Sequence, residues 1–157
     1  MKIALRERGN LDHGRAMFMD VKGAACIKCH TTGGEVKGGD VGPDLRSIAV
    51  KYNRTQIAES VLEPSKQILD GYEVTIIATD SGKTLQGLVR GESEEELTLV
   101  DAEGKRTTLQ KKTIESRRKS KKSMMPDDLH VGMTTSEFAD LIAYLESLNE
   151  KPPAKKQ

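Results

Sequence analysis

Cys26-Ile27-Lys28-Cys29-His30 is the stretch around which the rest of the 157-residue chain is organised. Two cysteines separated by two residues and followed at once by histidine form the attachment motif of a c-type haem. The spacing suits this chemistry, because each thiol can add to one vinyl group of the haem while the next imidazole binds the iron. The motif therefore predicts one covalently attached haem c, with Cys26 and Cys29 as attachment points and His30 as an axial iron ligand.

The same cysteines could instead form a redox Cys-x-x-Cys pair or half of a zinc site. A zinc site usually needs a second pair of ligands, and the chain has no third cysteine. A thioredoxin-like pair should follow a strand in a βαβ pattern, which the sequence does not show. Haem attachment is therefore the interpretation that the motif favours.

The composition indicates a domain with a thin apolar core. The 25 basic and 24 acidic residues nearly cancel, which argues against nucleic acid as the main partner. Hydrophobic residues make up 36% of the chain and aromatic residues only 3%, so a buried haem would supply missing apolar bulk. No apolar run approaches the roughly 20 residues of a membrane span, and no transmembrane segment is expected.

The N-terminal residues bear on localisation. Residues 1–10 are charged and lack the apolar run of a signal peptide. Because haem c is normally attached outside the cytoplasm, we expect a periplasmic or otherwise extracytoplasmic protein whose signal peptide is not in this chain. The chain is then expected to be a mature or excised fragment.

Helices are predicted at the start, in the middle and at the end of the chain from apolar residues at helical spacing. Residues 71–118 instead alternate as four or five short strands, a meander that closes most easily as a small barrel or curled sheet. We expect a haem domain formed by residues 10–70 and 119–149, the inserted β segment 71–118 and a flexible tail at 150–157. The predicted helix caps are Asn10 or Asp12, Asn53 or Thr55, and Thr134 or Thr135.

A second axial ligand is expected on the far side of the haem, because Met/His ligation raises the reduction potential of an electron carrier. Met125 is the first choice, since it stands in a Met-Pro step after a basic loop, and Met124 is the second. A methionine without such a context is commonly a flexible core filler. His13 and His130 are weaker candidates, because each is more often a surface histidine.

A set of short motifs occurs along the chain in a fixed order. The set comprises Gly14-x-x-x-Phe18, the haem attachment motif, Gly42-Pro43-Asp44-Leu45, Met125-Pro126 and Leu141-Ile142-Ala143-Tyr144-Leu145. In this order the motifs resemble class I c-type cytochromes. The resemblance implies a mainly α cytochrome c fold with an inserted small antiparallel β segment, whose first and last helices cross at Gly14. It also implies that the Pro43 carbonyl accepts the second N–H of His30, which fixes the imidazole tautomer.

Glu63-Pro64-Ser65, Gly87 in the β-rich stretch and Ser123-x-Met125-Pro126 extend the likeness. With them, residues 12–149 resemble the haem-binding domain at the C-terminal end of large planctomycete-type dehydrogenase-like proteins. This resemblance implies a redox partner protein, such as a dehydrogenase domain of the same parent chain.

Polar residues after the Gly-Pro step are candidates for binding the haem propionates, because charge-assisted hydrogen bonds to carboxylates are strong. Such residue types also commonly lie on solvated surface without any such role. The candidates are Arg46, Lys51, Tyr52 and Arg54.

Three functions are compatible with these features. The first is single-electron transfer to or from a redox partner, without enzymatic activity. The second is gas or peroxide binding at an iron with a labile sixth ligand, although the sequence places no distal His, Arg or acid for peroxide chemistry. In the third, the β segment is an interaction module, and the basic run at 117–122 steers an acidic redox partner. A basic run is more commonly a solubilising loop.

Overall fold

The computed structural model describes residues 6–33 and 38–149. The predicted flexible tail at 150–157 lies outside the described residues. The chain divides into two compact units, one formed by Met1–Glu63 with Asp127–Gln157 and the other by Pro64–Pro126. Within the described residues, the first unit contains the helices α1 (Leu11–Met19), α2 (Ile48–Lys51), α3 (Arg54–Leu62) and α4 (Thr135–Ser147).

The prediction of a mainly α cytochrome c fold is wrong. The chain is a mixed α/β protein, because the second unit is a complete five-stranded antiparallel sheet rather than a small insert. Helices are short in the first unit, where much of the described chain is turn or irregular structure. The strands are β1 (Thr75–Thr79), β2 (Thr84–Glu92), β3 (Glu96–Val100), β4 (Arg106–Gln110) and β5 (Ile114–Lys119).

The predicted helix caps are confirmed at all three sites. The Asn10 side chain accepts the N–H of His13 and begins α1. Asn53 and Thr134 each form a capping box, in which the cap side chain and the side chain at the third helical position exchange hydrogen bonds with the backbone. These signals are local in the sequence, which is why they predict helix starts well.

Helices α1 and α4 pack closely at Gly14. A Cβ atom at Gly14 would lie only 2.5 Å from the carbonyl carbon of Asp140, so only glycine allows this approach. One helical turn later, the rings of Phe18 and Tyr144 meet with centroids 5.5 Å apart. This is the helix crossing that the cytochrome resemblance implied.

A buried carboxylate supports the same crossing. Asp140 accepts the backbone N–H of Asn10, and its Oδ2 lies 2.7 Å from His13 Nδ1. Burial pushes the pKa of Asp140 upward, but the hydrogen bonds from His13 and Asn10 outweigh it and hold that pKa below its ordinary value. The start of α1 is therefore tied to α4 by a charged group that is almost fully buried.

Gly14→Ala is expected to destabilise the protein by about 1–3 kcal/mol, the usual cost of overpacking a tight core. The obstacle is backbone rather than a side chain that could rotate away. Urea unfolding of wild type, Gly14→Ala and one control variant measures the change in the free energy of unfolding. Gly91→Ala is the matched control, because a Cβ there would make an ordinary 3.6 Å contact with Thr98. Equal stability of the two variants would contradict the prediction.

The five-stranded sheet has the order β4-β3-β2-β1-β5, with all neighbours antiparallel. The predicted meander is observed for β1 to β4, whereas β5 returns to pair with β1. Leu109 of β4 and Ile114 of β5 both pack against one core cluster, although these strands are the two edges of the sheet. The sheet is therefore strongly curled. The cluster consists of Ile77, Leu97 and Leu99.

Ion pairs at Glu92 join strands that are not neighbours. Glu92, at the end of β2, accepts two hydrogen bonds from Arg117 of β5 at 2.8 and 3.1 Å and pairs with Lys111 at 2.8 Å. These hydrogen bonds, with Arg117 first, lower the pKa of Glu92 from 4.5 to about 2. These ion pairs connect β2 and β5 at the surface of the sheet.

Glu92→Gln is expected to reduce thermal stability slightly at neutral pH, since exposed ion pairs contribute little. The contribution of Glu92 is present above pH 4.5 and is lost as pH falls toward about 2, because the folded protein holds the carboxylate at lower pH than the unfolded chain does. Melting temperatures of wild type and variant should therefore converge between those pH values. The control is Glu94→Gln, because Glu94 is an exposed carboxylate of the same turn and is not part of the Glu92 ion pairs with Lys111 and Arg117. A constant gap down to pH 2 would contradict the assignment.

Candidate haem site

The haem attachment motif folds as one tight turn. Cys26–Lys28 forms a single 3-10 turn, and the His30 N–H donates to the Cys26 carbonyl at 2.9 Å. Ala25 enters the turn with φ 54°, a left-handed conformation that an alanine adopts at a cost. Cys26 and Cys29 are half-buried, and no disulfide joins them. Local backbone hydrogen bonds thus fix both cysteines and His30 in one short segment.

His30 is held in one tautomer by Pro43. Its Nδ1 lies 2.8 Å from the Pro43 carbonyl oxygen. A carbonyl can only accept, so Nδ1 carries the proton and Nε2 is left with a lone pair. Burial lowers the pKa of His30, although the hydrogen bond to Pro43 acts in the opposite direction. The lowered pKa favours the neutral imidazole, the form that binds metals.

Residues 38–42 lie against the motif and contact it through their backbone. The N–H groups of Gly39 and Gly42 donate to the carbonyls of Ile27 and Cys29 at 2.9 and 2.7 Å. A Cβ at Gly42 would lie 2.6 Å from His30 Nδ1. Only glycine therefore lets the loop lie against the imidazole while the next residue, Pro43, presents its carbonyl.

Helix α4 supports the chain just after the motif. The Tyr144 hydroxyl donates to Thr32 Oγ1 at 3.3 Å, and both residues are buried. Tyr144 also packs on Phe18 of α1. The segment just after His30 is thus anchored on the same pair of helices that cross at Gly14. No motif in the sequence signals the contact with Thr32.

Cys26 has the character of a protonated thiol. Burial raises the pKa of the Cys26 thiol to about 11. Catalytic and redox-active cysteines instead have a lowered pKa, because the thiolate is the nucleophile. This environment does not favour the redox Cys-x-x-Cys alternative.

No three His, Cys, Asp or Glu side chains are grouped to hold a metal ion within the described residues. A haem iron needs only one or two protein ligands. Cys26, Cys29, His30 and Pro43 therefore fit a haem c, since they combine two attachment thiols with an imidazole that is already oriented.

Met124 and Met125 lie near the end of the second unit, after β5. Both are half-buried. The Met125 N–H donates to Ser123 Oγ at 3.1 Å, and the Ser123 N–H donates to Ser65 Oγ, also at 3.1 Å. The structure thus brings Cys26, Cys29, His30 and Pro43 together in the first unit, whereas Met125 belongs to the second.

Two of the four propionate candidates already form ion pairs with carboxylates. Arg46 Nε lies 2.7 Å from Asp44 Oδ2, and Arg54 donates to Glu146 Oε2 at 2.7 Å. Tyr52 is half-buried at the end of α2, and Lys51 is exposed. Their role toward propionates stays a prediction.

Sequence reasoning missed one feature of the first unit. His130 lies in the loop before α4, and its Nδ1 is buried without a hydrogen-bond partner among the described residues. A buried polar atom of this kind usually has a partner, if only a water molecule. No periodicity or motif around His130 signals its burial.

No protein-family model matches this chain, and no curated protein matches it either. None of the described helices has the length and apolar character of a membrane span. The likeness to c-type cytochromes therefore rests on the attachment motif, on the surroundings of His30 and on the α1–α4 crossing.

Gly42→Ala is expected to impair haem retention, because the added Cβ would displace the imidazole from the Pro43 carbonyl. We expect a loss of about 1–3 kcal/mol in stability together with a lower haem-to-protein ratio, measured by absorbance against total protein. Gly14→Ala is the comparison, since it strains the same unit without touching His30. Full haem content with an unchanged spectrum in Gly42→Ala would contradict this account of the site.

Proposed function

We propose that this protein is a monohaem c-type cytochrome that transfers single electrons to or from a redox partner protein. The observation that carries the proposal is the half-buried imidazole of His30, whose Nδ1 donates to the Pro43 carbonyl directly after two appropriately spaced cysteines. The protein acts as a carrier and not as an enzyme.

Cys26 and Cys29 would hold the haem through thioether bonds, with His30 as one axial ligand and Met125 as the other. When bound, the haem supplies the one-electron couple of its iron. The hydrogen bond from His30 to Pro43 orients the imidazole and increases the basicity of Nε2 as a ligand. Arg46 and Tyr52 are the proposed contacts of the propionates.

The proposed partner is a dehydrogenase domain, such as one in the same parent chain, and the proposed location is periplasmic or otherwise extracytoplasmic. Both follow from the sequence resemblance and from the usual site of haem c attachment. The structure reduces the support for steering by the basic run at 117–122. Arg117 and Lys119 are neutralised by Glu92 and Glu73, with Lys119 Nζ 2.7 Å from Glu73 Oε1.

The test is the absorption spectrum and reduction potential of the haem-loaded protein, with Met125→Ala and Met124→Ala as a matched pair. We expect the haem iron of wild type to be low-spin in both oxidation states and not to bind carbon monoxide. Met125→Ala should become high-spin, bind carbon monoxide when reduced and show a lower potential, because Met/His ligation raises it. Met124→Ala should behave as wild type.

A wild-type protein that is high-spin and binds carbon monoxide would contradict the electron-carrier proposal and favour gas binding. Haem that is removed by acidified organic solvent would contradict covalent attachment through Cys26 and Cys29. If Met124→Ala rather than Met125→Ala gave a high-spin iron that binds carbon monoxide, the assignment of Met125 as the sixth ligand would be wrong.

A further inference from the structure

Two backbone hydrogen bonds flank the contact between His30 and Pro43. The carbonyl of the residue before the histidine accepts the Gly42 N–H at 2.7 Å. The carbonyl of Thr31, the residue after the histidine, accepts the Leu45 N–H at 2.8 Å. The separation of the imidazole from the Pro43 carbonyl therefore depends on how the chain is held on both sides of His30.

The next residue, Thr32, is held by a side chain of α4. The Tyr144 hydroxyl donates to Thr32 Oγ1 at 3.3 Å, across 112 positions of sequence. Both residues are buried, with 7% of Thr32 and 5% of Tyr144 exposed. Because leaving a buried hydroxyl without its partner is unfavourable, this contact resists separation. The Tyr144 ring is itself fixed by packing on Phe18, so the hydroxyl has a defined position.

We propose that Tyr144 and Thr32 are positioning residues for His30 as an axial iron ligand, an inference that rests on the proposed function. All of these residues belong to the first unit. Thr32 directly follows Thr31, whose carbonyl completes the flanking pair of hydrogen bonds. Holding Thr32 on α4 therefore limits the movement of the imidazole away from the Pro43 carbonyl.

This contact has a consequence for the iron. A hydrogen bond from Nδ1 of the ligating His30 makes its Nε2 a more basic ligand. A more basic ligand favours oxidised iron, and hydrogen bonding around the ligands is one of the means by which a protein sets the reduction potential of its haem. The contact between Tyr144 and Thr32 should therefore keep the reduction potential lower than it would be without the tyrosine hydroxyl.

The experiment compares Tyr144→Phe with wild type in the haem-loaded protein. Phenylalanine keeps the ring that packs on Phe18 and removes only the hydroxyl. In nuclear magnetic resonance of the reduced protein, the His30 Nδ1 proton should exchange with solvent about fivefold faster, the effect of losing one net hydrogen bond. The reduction potential should rise by up to about 40 mV, which is a fivefold change for a one-electron couple.

Variants of Thr32 test the other side of the same contact. Thr32→Val removes the acceptor and should speed exchange and raise the potential as Tyr144→Phe does, whereas Thr32→Ser keeps the hydroxyl and should stay close to wild type. The double variant with Tyr144→Phe and Thr32→Val should change no more than either single variant, because the two residues act through one contact. Additive effects of the two single changes would overturn the proposal.

Thr134→Ala is the matched control. The Thr134 side chain caps the start of the same helix by accepting the Glu137 N–H at 3.2 Å, and loss of such a cap costs a comparable amount of stability. The variant should lower the melting temperature and leave proton exchange at His30 and the reduction potential unchanged. Equal changes in Thr134→Ala would overturn the proposal, because they would reveal a general effect of destabilising α4.

The wild-type protein separates the two hypotheses. If it holds no covalent haem, or if the His30 imidazole does not bind the iron, the proposed function fails and the positioning role fails with it. If wild type is a low-spin haem protein with His30 bound while Tyr144→Phe leaves both proton exchange and potential unchanged, only the positioning role is overturned. Far-ultraviolet circular dichroism shows that each variant is folded before it is compared.

Discussion

The hydrogen bond from His30 Nδ1 to the Pro43 carbonyl is the constraint on which the proposed site depends. It requires a loop that returns to the imidazole, and Gly42 is the residue that lets the loop come close enough. The loop is held by backbone hydrogen bonds to the motif, and the segment after the motif is held by Tyr144 through Thr32. The packing of α1 on α4 therefore supports the segment that carries His30, through the contacts of Tyr144 with Phe18 and Thr32.

Burial selects the uncharged forms of the groups at this site. The imidazole of His30 and the thiol of Cys26 both pay a desolvation cost when charged, which lowers the pKa of the first and raises that of the second. A neutral imidazole suits an iron ligand, whereas a neutral thiol is a poor nucleophile. The same physical effect thus supports haem ligation and weighs against thiol redox chemistry.

The sequence was sufficient for features that depend on neighbouring residues, such as the caps at Asn10, Asn53 and Thr134. It was insufficient for the fold class, because alternating short strands do not reveal whether they form a small insert or a full sheet with its own core. Pairing of β5 with β1 and the contact of His13 with Asp140 join residues far apart in the chain. No local pattern encodes such partners, so only the structure could identify them.

The serine contacts also explain how a second core can be inserted in this chain. The core around Ile77, Leu97 and Leu99 is formed by residues of the second unit alone. The hydrogen bond from the Ser123 N–H to Ser65 brings the two ends of that unit together. A unit whose ends lie close together can be inserted in a chain without stretching the flanking segments.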